Sequence, residues 1–165
     1  MRSISRLLLC AALSFVFAVP LNAQEPSQQT RTLQILQEQL LNTEQDFNQL
    51  RDASSPAAEK ALENAAERLS DSAANAHTIV TAASDLIIVS RAVTCAADRA
   101  KVAGLVSARW VQYGGTLQSL GRSVDRELSV LATTQSTSEI AALARRYRTQ
   151  LTEIEKVLRT AMLER

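Results

Sequence analysis

The sequence is poor in the residues that interrupt helices. Its 165 residues include four Gly and three Pro, where ordinary usage would give about 12 and 8. Aromatic residues make up only 4%. Sandwiches and barrels need β-branched and aromatic strands joined by frequent turn residues, so all-β architectures are excluded. Two Cys cannot form a disulfide scaffold, and no Cys-x-x-Cys pair is present to seed a zinc site. A net charge of +1 gives no reason to expect nucleic acid as a partner. What is abundant is Ala, with 26 copies, and apolar residues at helical spacing. The length corresponds to one domain.

Residues 1–23 read as a signal peptide. Arg2 and Arg6 give a positive start, and Leu7 to Val19 is apolar but for Ser14. Pro20 breaks the run, and Leu21-Asn22-Ala23 ends on a small residue suited to cleavage. A spanning helix needs about 20 apolar residues, so a removed leader fits better than an anchor. The chain is expected to be exported, periplasmic or secreted, beginning at Gln24. After Ala23 no stretch is long and apolar enough to span a bilayer, so no transmembrane segment is expected there. Residues 24–29 contain Pro26 and polar side chains, and read as a flexible lead-in to a single helical domain over 30–165.

Within that domain, Leu33, Leu36, Leu40, Phe47 and Leu50 mark a helix from about Thr30 to Arg51, in a coiled-coil-like heptad register broken only by Thr43. Asp52 to Pro56 is the clearest break, with Ser55 and Pro56 suited to starting the next helix. No Gly or Pro follows until Gly104. The pattern predicts one long helix over 56–113, about 87 Å at about 1.5 Å per residue. The alternative is a break near Ser70–His77 or Ser84-Asp85, which would allow a compact bundle. Leu86 to Val89 is apolar on every face, which predicts burial on more than one side. Gly114-Gly115 is expected to end this helix. A further helix begins near Thr116, and a Ser136–Glu139 capping box opens the last one. The expected fold is all-α, an antiparallel bundle or an elongated hairpin feeding a bundle, with three to five helices.

Charge is unevenly distributed. Residues 24–90 hold ten acidic and four basic side chains, whereas residues 91–165 hold seven acidic and twelve basic. The simplest account is that the two halves face each other in the fold; otherwise the two patches serve partners or pair between chains.

Few residues suit catalysis or cofactor binding. His77 is the only histidine, and its neighbours Ser70, Asp71, Ser72 and Asp85 share one helix, where side chains diverge from the axis rather than converge on a substrate. Neither the Glu-x-x-His pairs of di-iron bundles nor a haem-attachment Cys-x-x-Cys-His occurs, and no metal or other cofactor is expected. Cys95 lies in the most apolar helix and reads as a buried small hydrophobe. Trp110 and Tyr113, beside the double glycine, should pack over a turn or meet a partner. Arg145, Arg146 and Arg148 flank Tyr147 and should pair with acids of the first half, with an anionic partner or lipid headgroup as the alternative.

The sequence therefore points to a non-enzymatic exported protein acting through helix-face contacts, such as an envelope scaffold, assembly factor or holdase-like chaperone. Its counterparts would be a protein partner or a second copy of itself. The alternative is a small-ligand-binding or sensory bundle, with a pocket near Trp110, Tyr113 and His77.

Overall fold

The computed structural model describes residues 28–53, 60–132 and 138–163. They form four helices: α1 (Gln28–Ala53), α2 (Lys60–Ala92), α3 (Ala96–Leu131) and α4 (Ser138–Leu163). No strand occurs among the described residues. The fold is an all-α helical bundle.

Hydrogen bonds between helices fix its topology. Gln37 Nε2 donates to Thr81 Oγ1 at 2.6 Å, and Ser70 Oγ donates to Asn48 Oδ1 at 3.0 Å. As α1 positions rise, their α2 partners fall, so these helices are antiparallel. Arg91 closes the pair by donating to Thr30 Oγ1 at 3.1 Å and Gln29 Oε1 at 2.9 Å. Arg68–Glu127 joins α2 to α3, while Arg148–Asp125 and Gln118–Glu155 join α3 to α4. Arg146–Asp46 brings α4 back against α1. The bundle thus runs up, down, up, down. Its cross-section is a rhombus: α2 and α4 touch across the short diagonal, and α1 and α3 do not meet.

Side-chain size explains that shape. The buried stripe of α2 is largely Ala65, Ala66, Ala73, Ala76 and Ala83, with Leu69, Val80 and Ile87. Small side chains let a neighbouring helix approach, and α1 packs most extensively on α2. Phe47 of α1 and Tyr147 of α4 are fully buried and meet edge to face, with ring centroids 6.1 Å apart. Leu33, Leu36 and Leu40 from α1 and Leu151, Ile154 and Leu158 from α4 extend the core along the bundle. Each such burial contributes about 1.5–3 kcal/mol.

Several sequence expectations need correction. The long helix over 56–113 is interrupted at residues 93–95, where the chain turns back into α3. Val93 and Thr94 are β-branched and weak helix formers, and the Arg99 guanidinium caps the carbonyl of Val93 at 3.1 Å. Gly114 and Gly115 end nothing; they lie inside α3. A helix accepts two glycines at about 1 kcal/mol each, and the Trp110 ring covers Gly114, its Cζ2 3.6 Å from where a Cβ would stand. The apolar run over 86–89 is buried only at Ile87; Ile88 and Val89 face outward. Cys95 is exposed rather than buried. It stands at the N-cap of α3 in extended conformation and makes no side-chain cap. Gln28 and Gln29, expected in the flexible lead-in, are already helical. The signal peptide, residues 24–27 of the lead-in, and Ser136 of the expected capping box lie outside the described residues.

Candidate functional site

Beyond the α1–α2 hydrogen bonds, polar side chains form three further links that reach into the bundle. Thr43, the residue that breaks the α1 heptad, is buried with its Oγ1 3.1 Å from the side-chain oxygen of Gln150 on α4. The Ser72 and Tyr147 hydroxyls share a hydrogen bond of 2.9 Å between α2 and α4. Burial raises the Tyr147 pKa above its ordinary value, and the Ser72 bond offsets part of the effect. Arg68 meets Glu127 with two parallel bonds of 2.8 Å. That hydrogen bonding to Glu127 is the main reason the Arg68 pKa is raised. Glu127 is nearly buried, so the pair is anchored on its α3 side. Sequence reasoning missed all three links, because each joins residues far apart in the chain.

The residues singled out from the sequence do not converge. Trp110 and Tyr113 are half-buried and pack on the core from α3, in one helical line with Val106 and Leu117. His77 lies on α2 one turn before Thr81, which faces α1. Trp110 and Tyr113 lie on α3, a helix that α1 does not touch. On α4 the three arginines separate. Arg146 pairs with Asp46 of α1, as the charge pattern predicts. Arg148 instead pairs with Asp125 of α3 at 3.0 Å, in its own basic half, and its guanidinium lies across Gly121. Arg145 is exposed. Docking between the halves is thus carried by Arg146 alone of the three. Arg68–Glu127 adds a link of the opposite sense, a base from the acidic half against an acid from the basic half.

Two concavities lie along the α1–α4 seam, on either side of the Arg146–Asp46 pair. One, of about 530 Å³, is lined by Gln39, Asn42, Thr149 and Glu153 together with that pair. The other, of about 650 Å³, is lined by Gln49, Leu50, Glu139 and Leu143 with the same pair. Both offer amides, hydroxyls and carboxylates, and neither is lined by His or Cys. Among the described residues, no three His, Cys, Asp or Glu side chains stand close enough to hold a metal ion.

Several large aliphatic residues of the α2–α3 hairpin are exposed: Ile88 at 51%, Val89 at 57%, Leu105 at 61% and Val111 at 74%. From Ala96 to Leu105 every residue of α3 except Val102 is exposed. Cys95 sits at the tip. No described helix is long and apolar enough to cross a membrane. In comparisons with known proteins, no family model, no curated protein and no solved structure matches this chain.

Proposed function

We propose that the chain is an exported, non-enzymatic helical bundle that works through surface contact, as an envelope scaffold or assembly factor. The observation that carries this reading is the α2–α3 hairpin, on which Ile88, Val89, Leu105 and Val111 are each between 51% and 74% exposed. Several large aliphatic side chains left in water on one hairpin are more than scattered single residues, and such surface marks an interaction site. The rest of the molecule supports the same reading. Its interior is filled by Phe47, Tyr147 and leucines, a rigid body suited to presenting a surface. The export component rests on the leader-like pattern of residues 1–23.

Hydroxyl-radical footprinting tests the contact. The protein is labelled once in its native envelope fraction and once after purification. Leu105 and Val111 should be protected in the envelope, while Val130, exposed near the opposite end of α3, should label equally in both. Equal labelling of all three in both preparations would refute the reading.

A further inference from the structure

We propose that this chain assembles with a second copy of itself by exchanging hairpins. The turn at 93–95 opens into continuous helix, and the α1–α2 hairpin of each copy packs on the α3–α4 hairpin of the other. The proposal stands apart from the contact reading above, which needs no second copy, so either can fail alone.

The division of the bundle gives the first argument. Gln37–Thr81 closes the first hairpin on itself, and Arg148–Asp125 closes the second. A separate set of links joins the two hairpins, including Ser72–Tyr147, Arg68–Glu127 and Arg146–Asp46. Each of these has one residue before the turn and one after it. They close as well between copies as within one, so an exchanged dimer keeps the interior of the monomer. The balance is then decided at the turn.

The turn itself gives the second. It spans Val93, Thr94 and Cys95, and none of them is Gly or Pro. Cys95 has φ −70° and ψ 127°, so its φ is already close to the helical value of about −63° and only ψ must rotate. Its side chain caps none of the first N–H groups of α3. Continuing α2 through the turn would give those groups carbonyl partners. The bond from the Arg99 N–H to the Cys95 carbonyl already has helical spacing and would be kept. Opening gives up the Arg99 guanidinium contact with the Val93 carbonyl.

Register gives the third. Counted from Arg68 opposite Glu127, Ala92 at the end of α2 comes level with Ala103. Residues 96–102 of α3 therefore run past their partner helix, and all but the half-buried Val102 are exposed. In the exchanged dimer the two continuous helices run antiparallel. The same register sets residues 96–102 of one copy beside residues 93–99 of the other. The two-fold axis falls between Ala97 and Asp98, which brings Asp98 of each copy within one turn of Arg99 of the other. The overhang that the monomer leaves uncovered is covered by its own duplicate.

Refolding of mixed variants tests the exchange, with reductant present so that Cys95 cannot cross-link the copies. Arg68→Glu and Glu127→Arg each place like charges at the α2–α3 contact within one chain, and each alone should unfold at lower urea than wild type. The two are unfolded together and refolded at about millimolar concentration, where a second copy competes with a short tether. They should form a one-to-one dimer. One of its bundles keeps the wild-type pair, and in the other the two introduced charges attract. Light scattering should give twice the chain mass, native mass spectrometry should find both variants in the dimer, and its urea midpoint should exceed that of either variant alone. A variant that folds only in the mixture gives the same answer. The turn supplies a second series that leaves the ion pair untouched. Val93→Ala with Thr94→Ala favours helix at both turns of a dimer and should raise the association constant by on the order of tenfold or more. Cys95→Ser supplies a capping side chain and should lower it by on the order of tenfold.

A mixture that unfolds as two separate monomers would overturn the proposal. So would a mixed dimer no more stable than its components, which is surface association without exchange, or turn variants whose association constant equals that of wild type.

Discussion

Arg68 and Glu127 offer a measurable test of how the two halves are held together. Their bidentate geometry is short on both arms, at 2.8 Å each. Exposure is unequal: the Glu127 side chain is 8% exposed and that of Arg68 is 52%. A fully exposed pair contributes about 0–1 kcal/mol, and breaking a fully buried one costs about 3–5 kcal/mol. This pair lies between those limits. Arg68→Met keeps the aliphatic stem but strands a carboxylate with little access to water, at a cost of about 2 kcal/mol. Glu127→Leu frees an arginine that can still reach solvent, so it should cost about 1 kcal/mol or less. The double variant removes both charges and should lose no more than Arg68→Met alone, giving a coupling of about 1 kcal/mol. Urea unfolding followed by circular dichroism reads this as shifts in midpoint at constant slope. If the double variant loses the sum of the two single losses, the pair contributes nothing jointly and the reasoning fails.

Two further outcomes follow from the same structure. Nothing stands within 4 Å of a Cβ placed on Gly104 or Gly115, so Ala at either should stabilise by about 0.5–1 kcal/mol through helix propensity. At Gly121 the Arg148 guanidinium carbon would lie 3.1 Å away, so Gly121→Ala should gain less in the same unfolding assay. Tyr147 gives a pH dependence. Burial raises its pKa, so the folded state holds this proton more tightly than the unfolded chain. That contribution to stability is complete below about pH 10, the unfolded value, and is lost as pH rises towards the folded value. Tyr147→Phe should lose about 1 kcal/mol at neutral pH with the Ser72 bond and decline less steeply above pH 10 than wild type. Parallel declines would refute the assignment.

Much of the fold was legible because helical spacing is a local signal. Leu33, Leu36, Leu40 and Phe47 announced the core face of α1, and its expected end at about Arg51 fell within two residues of the observed one, Ala53. The misreadings have a shared cause. Glycine was taken as punctuation at 114–115, where the Trp110 ring covers the backbone instead. Val93-Thr94-Cys95 carries no Gly or Pro, so the turn there went unseen, and with it the exposure of Ile88, Val89 and Cys95. Burial was inferred from apolar character, yet a residue is buried only if another helix passes over it, and no local pattern says where helices stop. Pairings such as Thr43 with Gln150 depend on the same global geometry.

The turn at 93–95 has a consequence for how the molecule holds its shape. Its residues disfavour a helix only weakly, and its local braces are slight: the Arg99 guanidinium on the Val93 carbonyl and the Arg99 backbone N–H on the Cys95 carbonyl at 2.9 Å. Most of the instruction to bend therefore comes from elsewhere, from the α1–α2 and α3–α4 hairpins closing against each other through Ser72–Tyr147, Arg68–Glu127 and the Phe47–Tyr147 contact. Such a corner belongs to the assembled bundle and not to the segment that forms it. It persists while both hairpins are docked, and melting either one releases the other to straighten into the continuous rod that the local sequence describes.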